Sequence, residues 1–423
     1  MSSEIHGLPL RAALKYVLIV TLAWLFDAMD LVLLVVLVRS MAHPSQLNFD
    51  IQSIGSLLIS VAFLTSGIGG MLLGYLADRY GRKRILSFAI LLYGLPTLLV
   101  GFTRSWIEVL ILRFIAGFGV GGAWAAGVTL VAELIDPSER GRAIGIVQCG
   151  YPIGFLMAVS LSYLVAYTPG EVMFGNWRLA FIAGAVPSII LSGVVSLFVP
   201  ESKIWKLKLF DKDRKGLREA LANKMYLKGF SVGLLLDFIG MFGYWVYWSW
   251  LPSYLEHAYN VGYISSLRNF LWLAVTQISA LLGYITYGFI QDILGRRPAL
   301  TIFTTLEGIS ILASIKLIMD MLAGNLNMPL FIITGICVGY FMGYWAAFGA
   351  VLSEIFPTSV RTTLSGFIFN TGRSINFITP IISAYLAGTY GIALALSLST
   401  IANFALAGLI WLIPETKGKV ITF

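Results

Sequence analysis

The chain has 423 residues, of which 58% are hydrophobic and only 12% are charged, and its net charge is +8. An ordinary soluble domain contains about 25% charged residues, so this composition excludes a water-soluble globular fold. The basic residues lie between apolar segments and do not form one patch, and we therefore expect no nucleic-acid partner.

Apolar segments follow one another along the whole chain, each close to the ~20 residues that an α-helix needs to cross a bilayer. We predict twelve membrane spans, at 16–38, 53–77, 84–102, 106–129, 141–167, 178–199, 229–255, 266–290, 298–320, 328–350, 362–388 and 391–413. The predicted fold class is an all-α membrane protein with twelve transmembrane helices. No signal-peptide cleavage site follows the polar start of the chain, so we expect the first span to remain in the mature protein.

Lysine and arginine lie mostly on one side of these predicted spans. If the N-terminus is cytoplasmic, 22 of the 29 basic residues lie on the cytoplasmic side, four lie outside, and Arg113, Lys316 and Arg373 lie within spans. The positive-inside rule then places both termini in the cytoplasm, as in a multi-pass protein of the plasma membrane. The two cysteines, Cys149 and Cys337, indicate neither a disulfide framework nor a metal site, and no cofactor is expected.

Short landmarks of the first half of the chain recur in the second half. Asp78-Arg-Tyr-Gly-Arg-Lys83 matches Asp292-Ile-Leu-Gly-Arg-Arg297, and Pro200-Glu-Ser202 matches Pro414-Glu-Thr416, each pair 214 residues apart. The spacing of Glu133 and Arg140 also equals that of Glu354 and Arg361. This repeat predicts six-helix bundles in residues 1–199 and 229–423, joined by a cytoplasmic linker in 200–228. Paired bundles are typical of transporters that open one central site to each side in turn.

The segment Gly74 to Arg84 resembles the signature loop between the second and third helices of the major facilitator superfamily, and Asp292 to Arg297 resembles its second copy. In that family the loop latches the two bundles on the cytoplasmic side. The resemblance implies a gating role for Gly74, Asp78, Arg79, Gly81, Arg82, Asp292, Gly295 and Arg296, together with Glu133, Arg140, Glu354 and Arg361. Alternatively, the arginines serve only as topology anchors.

Within the superfamily, the chain is most similar to the sialate:proton and aromatic acid:proton symporters. The segments that carry this resemblance include Phe26-Asp-Ala-Met-Asp30, Gly145 to Gly150 and Gly366 to Arg373. The chain departs from these families at Ala28, where glycine is usual, and at Ala123, where an acidic residue is common. The proline-glutamate landmarks also resemble those of sugar porters.

Aspartates lie deep inside two of the predicted spans. Asp27 and Asp30 are one helical turn apart near the middle of the first span, and Asp237 lies in the seventh. Two carboxylates so close disfavour double ionisation, so we predict that Asp27 and Asp30 couple transport to protons, with Asp237 as a further candidate. The alternative is a structural role in hydrogen bonds or salt bridges between helices.

Arg373 is a cation at similar depth in the eleventh span. Because a guanidinium group suits a carboxylate and stays charged, Arg373 is the leading candidate to bind an organic anion, with Asn370 one turn away. Alternatively, Arg373 is the permanent partner of an aspartate. Arg113, in the fourth span, is either a second substrate group or a structural partner, and the glycines that follow it predict a helix-packing seam.

Aromatic and amphipathic residues at internal depth complete the predicted site: Tyr244, Trp245, Trp124, Gln148, Tyr151 and Tyr344. Their rings suit a substrate cavity, although simple packing is the alternative. Trp248 and Trp250 lie near the predicted outer end of the seventh span, where we expect them in the aromatic belt of the membrane interface.

The sequence therefore predicts a proton-coupled importer of a small organic anion, a carboxylate, that works as a monomer by alternating access. No phosphate loop, zinc spacing or nucleophile elbow occurs, so we do not expect an enzyme. The alternatives are a passive or proton-coupled transporter of sugars or organic cations, and a transporter-like sensor or receptor.

Overall fold

The computed structural model describes residues 8–136, 140–166, 177–208, 222–252, 254–255, 266–325, 327–355 and 361–415. Within these ranges the chain is almost wholly helical, and strand pairing is limited to one bridge between Leu8 and Ile135. The spans are Leu10–Ala42, Ser56–Tyr80, Arg82–Val100, Trp106–Leu134, Arg140–Gln148 with Gly150–Ala166, Trp177–Phe198, Lys224–Trp248, Ser266–Leu294, Arg296–Leu322, Met328–Phe341 with Trp345–Ile355, Arg361–Ile375 with Thr379–Tyr390, and Ile392–Leu409. The twelve predicted spans are confirmed.

Eleven stretches of the described residues are long and apolar enough to cross a membrane. The eleventh span, which a 3₁₀ turn at Asn376–Ile378 divides into two helices, is not among them. Pro380 lies in the first turn of the second of these helices, and Pro152 lies just after a similar break in the fifth span. Proline lacks the N–H that a continuous helix requires, which explains both breaks.

Glycines allow the second and fourth spans to approach closely. A Cβ atom at Gly121 would overlap the carbonyl oxygen of Ser66, and one at Gly117 would overlap the side chain of Thr65. This confirms the packing seam predicted after Arg113, where small residues bring two helix backbones together.

The two bundles contact one another from mid-membrane to one face of the molecule. We call the face that carries the Gly81 and Gly295 turns the motif face. The second span packs against the eleventh, and the Ser374 hydroxyl donates to the carbonyl of Leu64 at 3.2 Å. Of the two segments of the fifth span, Gly150–Ala166 is the one that packs extensively against the eighth. The bundles are therefore closed at the face opposite the motifs.

Candidate functional site

A first buried ion pair lies wholly inside the N-terminal bundle. The Arg113 guanidinium donates to both carboxylate oxygens of Asp30 at 3.1 Å, and it donates to the Thr97 hydroxyl at 2.8 Å. The Thr97 hydroxyl in turn donates to Asp30. Asp30 and Arg113 are 3% and 0% exposed. This bidentate arrangement occupies both carboxylate oxygens, which supports the structural alternative for both residues.

A second buried pair joins the two bundles. Arg373 of the eleventh span approaches Asp27 of the first span, with 3.8 Å between a guanidinium nitrogen and a carboxylate oxygen. That distance is too long for a hydrogen bond. Within the described residues, both Asp27 oxygens and one terminal nitrogen of Arg373 have no hydrogen-bond partner. The charges attract, but part of their hydrogen-bonding capacity is unused.

Asp237 lies beside this second pair. Its carboxylate is fully buried against Gly372, where a Cβ atom would overlap it, and Arg373 is the charge that acts on it most strongly. Neither oxygen of Asp237 has a hydrogen-bond partner among the described residues. The fold thus brings Asp27, Asp237 and Arg373, from three different spans, into one buried polar cluster, which we call the central cluster.

Aromatic rings from both bundles surround the central cluster. The Arg373 guanidinium lies 5.8 Å from the ring centroid of Trp24, a cation–π contact. Trp124 stacks on Phe369 with 4.2 Å between ring centroids, and the Tyr244 hydroxyl donates to that of Tyr151 across the bundle interface at 3.4 Å. Trp24 and Trp124 have indole N–H groups without a partner in the described part of the chain. The site therefore combines apolar faces with unused donors, as small-molecule sites do.

Other predicted residues have more local partners. Asn370 faces the second span at Gly70 and donates to the carbonyl of Gly366 at 2.9 Å. Trp245 packs on Phe63 with 4.2 Å between centroids. Gln148 is half-buried with an unpaired side-chain oxygen, and Tyr344 is buried and stacks on Trp345.

The aromatic-belt prediction for the end of the seventh span is wrong. Trp248 and Trp250 are 1% and 3% exposed. Trp248 packs on Phe155 of the other bundle, and the Trp250 indole donates to the carbonyl of Pro380 at 3.1 Å. Position along one helix cannot distinguish a ring that faces lipid from one that faces a neighbouring helix.

The motif of the first bundle forms an ion-pair network. The Arg82 guanidinium binds Glu133 through two nitrogens, at 3.1 and 3.2 Å. Gly81 has φ +107°, a conformation that favours glycine, and a Cβ atom there would overlap the Glu201 carboxylate. That carboxylate accepts from the backbone N–H groups of Arg82 and Lys83 at 3.0 to 3.2 Å, so it caps the start of the third span.

The second bundle repeats this cap. Gly295 has φ +100°, and Glu415 accepts from the backbone N–H groups of Arg296 and Arg297, each at 3.0 Å.

The other predicted gating residues have fewer described contacts. Gly74 lies against Ala125, and Arg79 is exposed and lies over the Tyr80 ring. The side chains of Asp78, Arg140, Asp292, Glu354 and Arg361 lie outside the described part of the structure.

Sequence reasoning missed three acidic residues. Glu201 and Glu415 stand in the proline-glutamate landmarks, which served only to align the halves, although their identical position in both copies was a signal of a shared role. Glu307 is a carboxyl deep inside the apolar ninth span, and an inspection of the acidic residues within the spans would have found it. No group of metal-binding side chains occurs among the described residues.

Two pseudo-symmetric helical bundles with a buried polar site between them are the architecture of a membrane transporter. The model of the Major Facilitator Superfamily matches residues 17–283, and that of sugar (and other) transporters matches residues 211–422. The chain belongs to the major facilitator superfamily, whose members are transporters and not enzymes.

Relatives and solved structures agree with this assignment. A probable 4-methylmuconolactone transporter of Cupriavidus pinatubonensis is 34% identical over 365 residues, covering 86% of this chain and 82% of the relative. The cis,cis-muconate transport protein of Acinetobacter baylyi is 29% identical over 401 residues and 90% of each chain. A partially occluded, inward-open structure of the Escherichia coli xylose transporter XylE has a TM-score of 0.75 at 19% identity, covering 96% of this chain and 99% of that one. At this identity, the structural likeness shows the fold alone.

Proposed function

We propose that this transporter imports a small organic acid together with protons. The observation that carries the proposal is the second pair, in which Arg373 and Asp27 face each other across the bundle interface without a hydrogen bond. A group that must release one partner and accept another needs unused hydrogen-bonding capacity, and Arg373 has it. A substrate carboxylate can take the bidentate place that Asp27 leaves unfilled.

Coupling follows from the charges of the central cluster. Arg373 balances one negative charge, and Asp27 and Asp237 already supply two when both are ionised. A bound carboxylate would add a third negative charge in a medium where unpaired charge is costly. Proton uptake by Asp27, with Asp237 as a second acceptor, removes this excess and leaves Arg373 to the substrate.

The rings around Arg373 favour a flat, unsaturated acid. Trp24 offers a ring beside the guanidinium group, and the stacked rings of Trp124 and Phe369 lie next to Trp24, so a conjugated carboxylate can pack on aromatic surface while its charge is bound. Two relatives are named as transporters of muconate and of a muconolactone, both unsaturated acids. We assign substrate contacts to Arg373, Trp24, Trp124, Tyr151 and Tyr244, with Gln148, Trp245 and Tyr344 as further candidates.

The motif face is the proposed cytoplasmic gate. The positive-inside distribution of basic residues supports a cytoplasmic motif face with both termini on that side of the plasma membrane. Residues 1–199 and 229–423 are the two rocking bundles, with the linker in 200–228. Because one chain contains both bundles, a monomer suffices. The Arg82–Glu133 pair and the Glu201 and Glu415 caps each fix the structure of this face within one half of the molecule.

Uptake into proteoliposomes tests the proposal. We would compare cis,cis-muconate, nicotinate, benzoate, xylose and choline, each with and without an inward proton gradient. We expect accumulation of one or more of the acids only with the gradient, and no accumulation of xylose or choline. Asp27→Asn should lose gradient-driven accumulation and keep exchange of labelled for unlabelled acid, because exchange needs no net proton movement.

Two results would contradict the proposal. Accumulation that is indifferent to the gradient would exclude proton coupling, and uptake of xylose or choline without any acid would exclude the anion assignment. Asp30→Asn is the matched comparison for Asp27→Asn. Since both oxygens of Asp30 are hydrogen-bonded to Arg113, Asp30→Asn should lower thermal stability and leave proton coupling largely unchanged.

A further inference from the structure

A further buried acid lies outside the central cluster. Glu307 is in the ninth span, Arg296–Leu322, and is 3% exposed. At about 1.5 Å per residue, its carboxyl lies some 16 Å along the helix from Arg296, so the basic residues at the helix start cannot reach it. A mid-membrane carboxyl without a cation requires an explanation.

The neighbours of Glu307 within the described residues are polar but not basic. The ninth span packs against the eighth, tenth and twelfth spans, and it contacts the seventh through a 2.7 Å hydrogen bond between Tyr247 and Ser314. The titratable groups of these elements that are coupled to Glu307 are the buried tyrosines Tyr244, Tyr247, Tyr284 and Tyr344, which are uncharged near neutral pH and supply no positive charge. The twelfth span, Ile392–Leu409, has no titratable residue and contributes Asn403.

The Glu307 carboxyl has an unused acceptor. Asn403 of the twelfth span lies against Gly308, the residue next to Glu307. Within the described residues, Oε2 of Glu307 and Oδ1 of Asn403 have no hydrogen-bond partner, and both atoms are acceptors when Glu307 is ionised. A proton on the Glu307 carboxyl turns one of these acceptors into a donor, and it also removes the unpaired charge.

The seventh span connects the helix of Glu307 with the central cluster. On one side, the Tyr247 hydroxyl hydrogen-bonds to Ser314 of the ninth span. On the other side, the Tyr244 hydroxyl donates to that of Tyr151, whose ring lies 5.6 Å from the ring of Trp24 beside Arg373. The ninth span is thus linked to the substrate region, although Glu307 stands in a different part of the fold.

We infer that Glu307 is an additional proton-binding residue of the C-terminal bundle, loaded from water at one face and unloaded at the other in each transport cycle. An O–H bond forms at the carboxylate with a proton taken from hydronium, and the same bond breaks when that proton passes to water on the second side. One positive charge therefore crosses with each cycle in addition to the proton on the central cluster. The inference rests on the proposed proton coupling.

The test compares the wild type with Glu307→Gln in proteoliposomes, with cis,cis-muconate and nicotinate as probes. The proton-to-substrate ratio is measured from the pH gradient and voltage at which net flux reverses. We expect the variant to transport one proton fewer per substrate and to keep exchange of labelled for unlabelled substrate. Glu307→Asp should restore the wild-type ratio, and Ser310→Ala, on the same helix, should not change it.

Infrared spectroscopy of the purified protein gives a readout that needs no substrate. We expect a carboxylic acid C=O band in the wild type that disappears as the pH is raised and is missing from Glu307→Gln. If the wild type shows no gradient-driven uptake, the proposed function fails. In that case the infrared band still decides whether Glu307 binds and releases a proton. An unchanged ratio in Glu307→Gln, or a spectrum identical to that of the wild type, overturns the inference.

Discussion

Two buried arginine–aspartate pairs occur in the described part of the chain, and they differ in the contacts that hold them together. Asp30 and Arg113 belong to one bundle, share two hydrogen bonds at 3.1 Å and include Thr97 in their network. Asp27 and Arg373 belong to different bundles and are 3.8 Å apart. The two aspartates are one helical turn apart in the same span, so the difference comes from their partners and not from their depth.

This difference separates a structural pair from an exchangeable one. When two bundles rock, groups within one bundle keep their distance, whereas groups across the interface must part or change partner. A fully hydrogen-bonded pair across that interface would resist opening. The incomplete pairing of Arg373 and Asp27 is therefore suited to motion and ligand exchange, and the complete pairing of Arg113 and Asp30 is suited to stability.

Removal of Arg113 should have the largest effect. Arg113→Ala leaves Asp30 buried without its cation, a change that costs about 3–5 kcal/mol. We expect a large fall in the melting temperature of the purified protein and in its yield. Arg113→Ala with Asp30→Asn should recover part of the loss because no charge is then left unpaired. An Arg113→Ala variant with the melting temperature of the wild type would show that the Arg113–Asp30 pair is not structural.

Arg373→Lys should change binding more than stability. Lysine keeps the charge beside Asp27 but loses the planar fork, and hydrogen bonds to charged groups contribute about 1.5–3 kcal/mol. We expect acid affinity to fall by about 10- to 100-fold, measured by ligand-induced thermal stabilisation, with little change in melting temperature without ligand. Equal stability losses in Arg373→Lys and Arg113→Lys would show that both pairs are structural.

Thr97→Val should have the smallest effect on stability, and it tests whether the network around Asp30 has only a structural role. The variant keeps the shape of the side chain and removes the hydroxyl between Arg113 and Asp30. The expected cost is about 1 kcal/mol, seen as a small decrease in melting temperature, with unchanged proton coupling. Loss of gradient-driven uptake at normal stability would instead place Asp30 in the coupling machinery.

The span pattern and the duplicated halves could be predicted from the sequence, because the length of an apolar segment and the spacing of a repeat are properties of the linear chain. The sequence could not decide whether Arg113 pairs with Asp30 or binds substrate, since either role depends on which helices face each other. Trp248 shows the same limit, because its position near a helix end predicted the membrane interface and its ring is buried between bundles. Glu201 was visible as a repeated residue, but its capping role required the position of the third span.

The sequence by itself determined that this protein crosses the membrane twelve times in two related halves, since apolar length and a repeat are one-dimensional properties. Only the tertiary structure decided which buried charges meet. Asp27 and Arg373 are 346 residues apart in the chain, and their approach depends on the packing of the two bundles. Electrostatic attraction and hydrogen bonding act over a few ångströms, so the division between a stable pair and an exchangeable pair exists only in three dimensions.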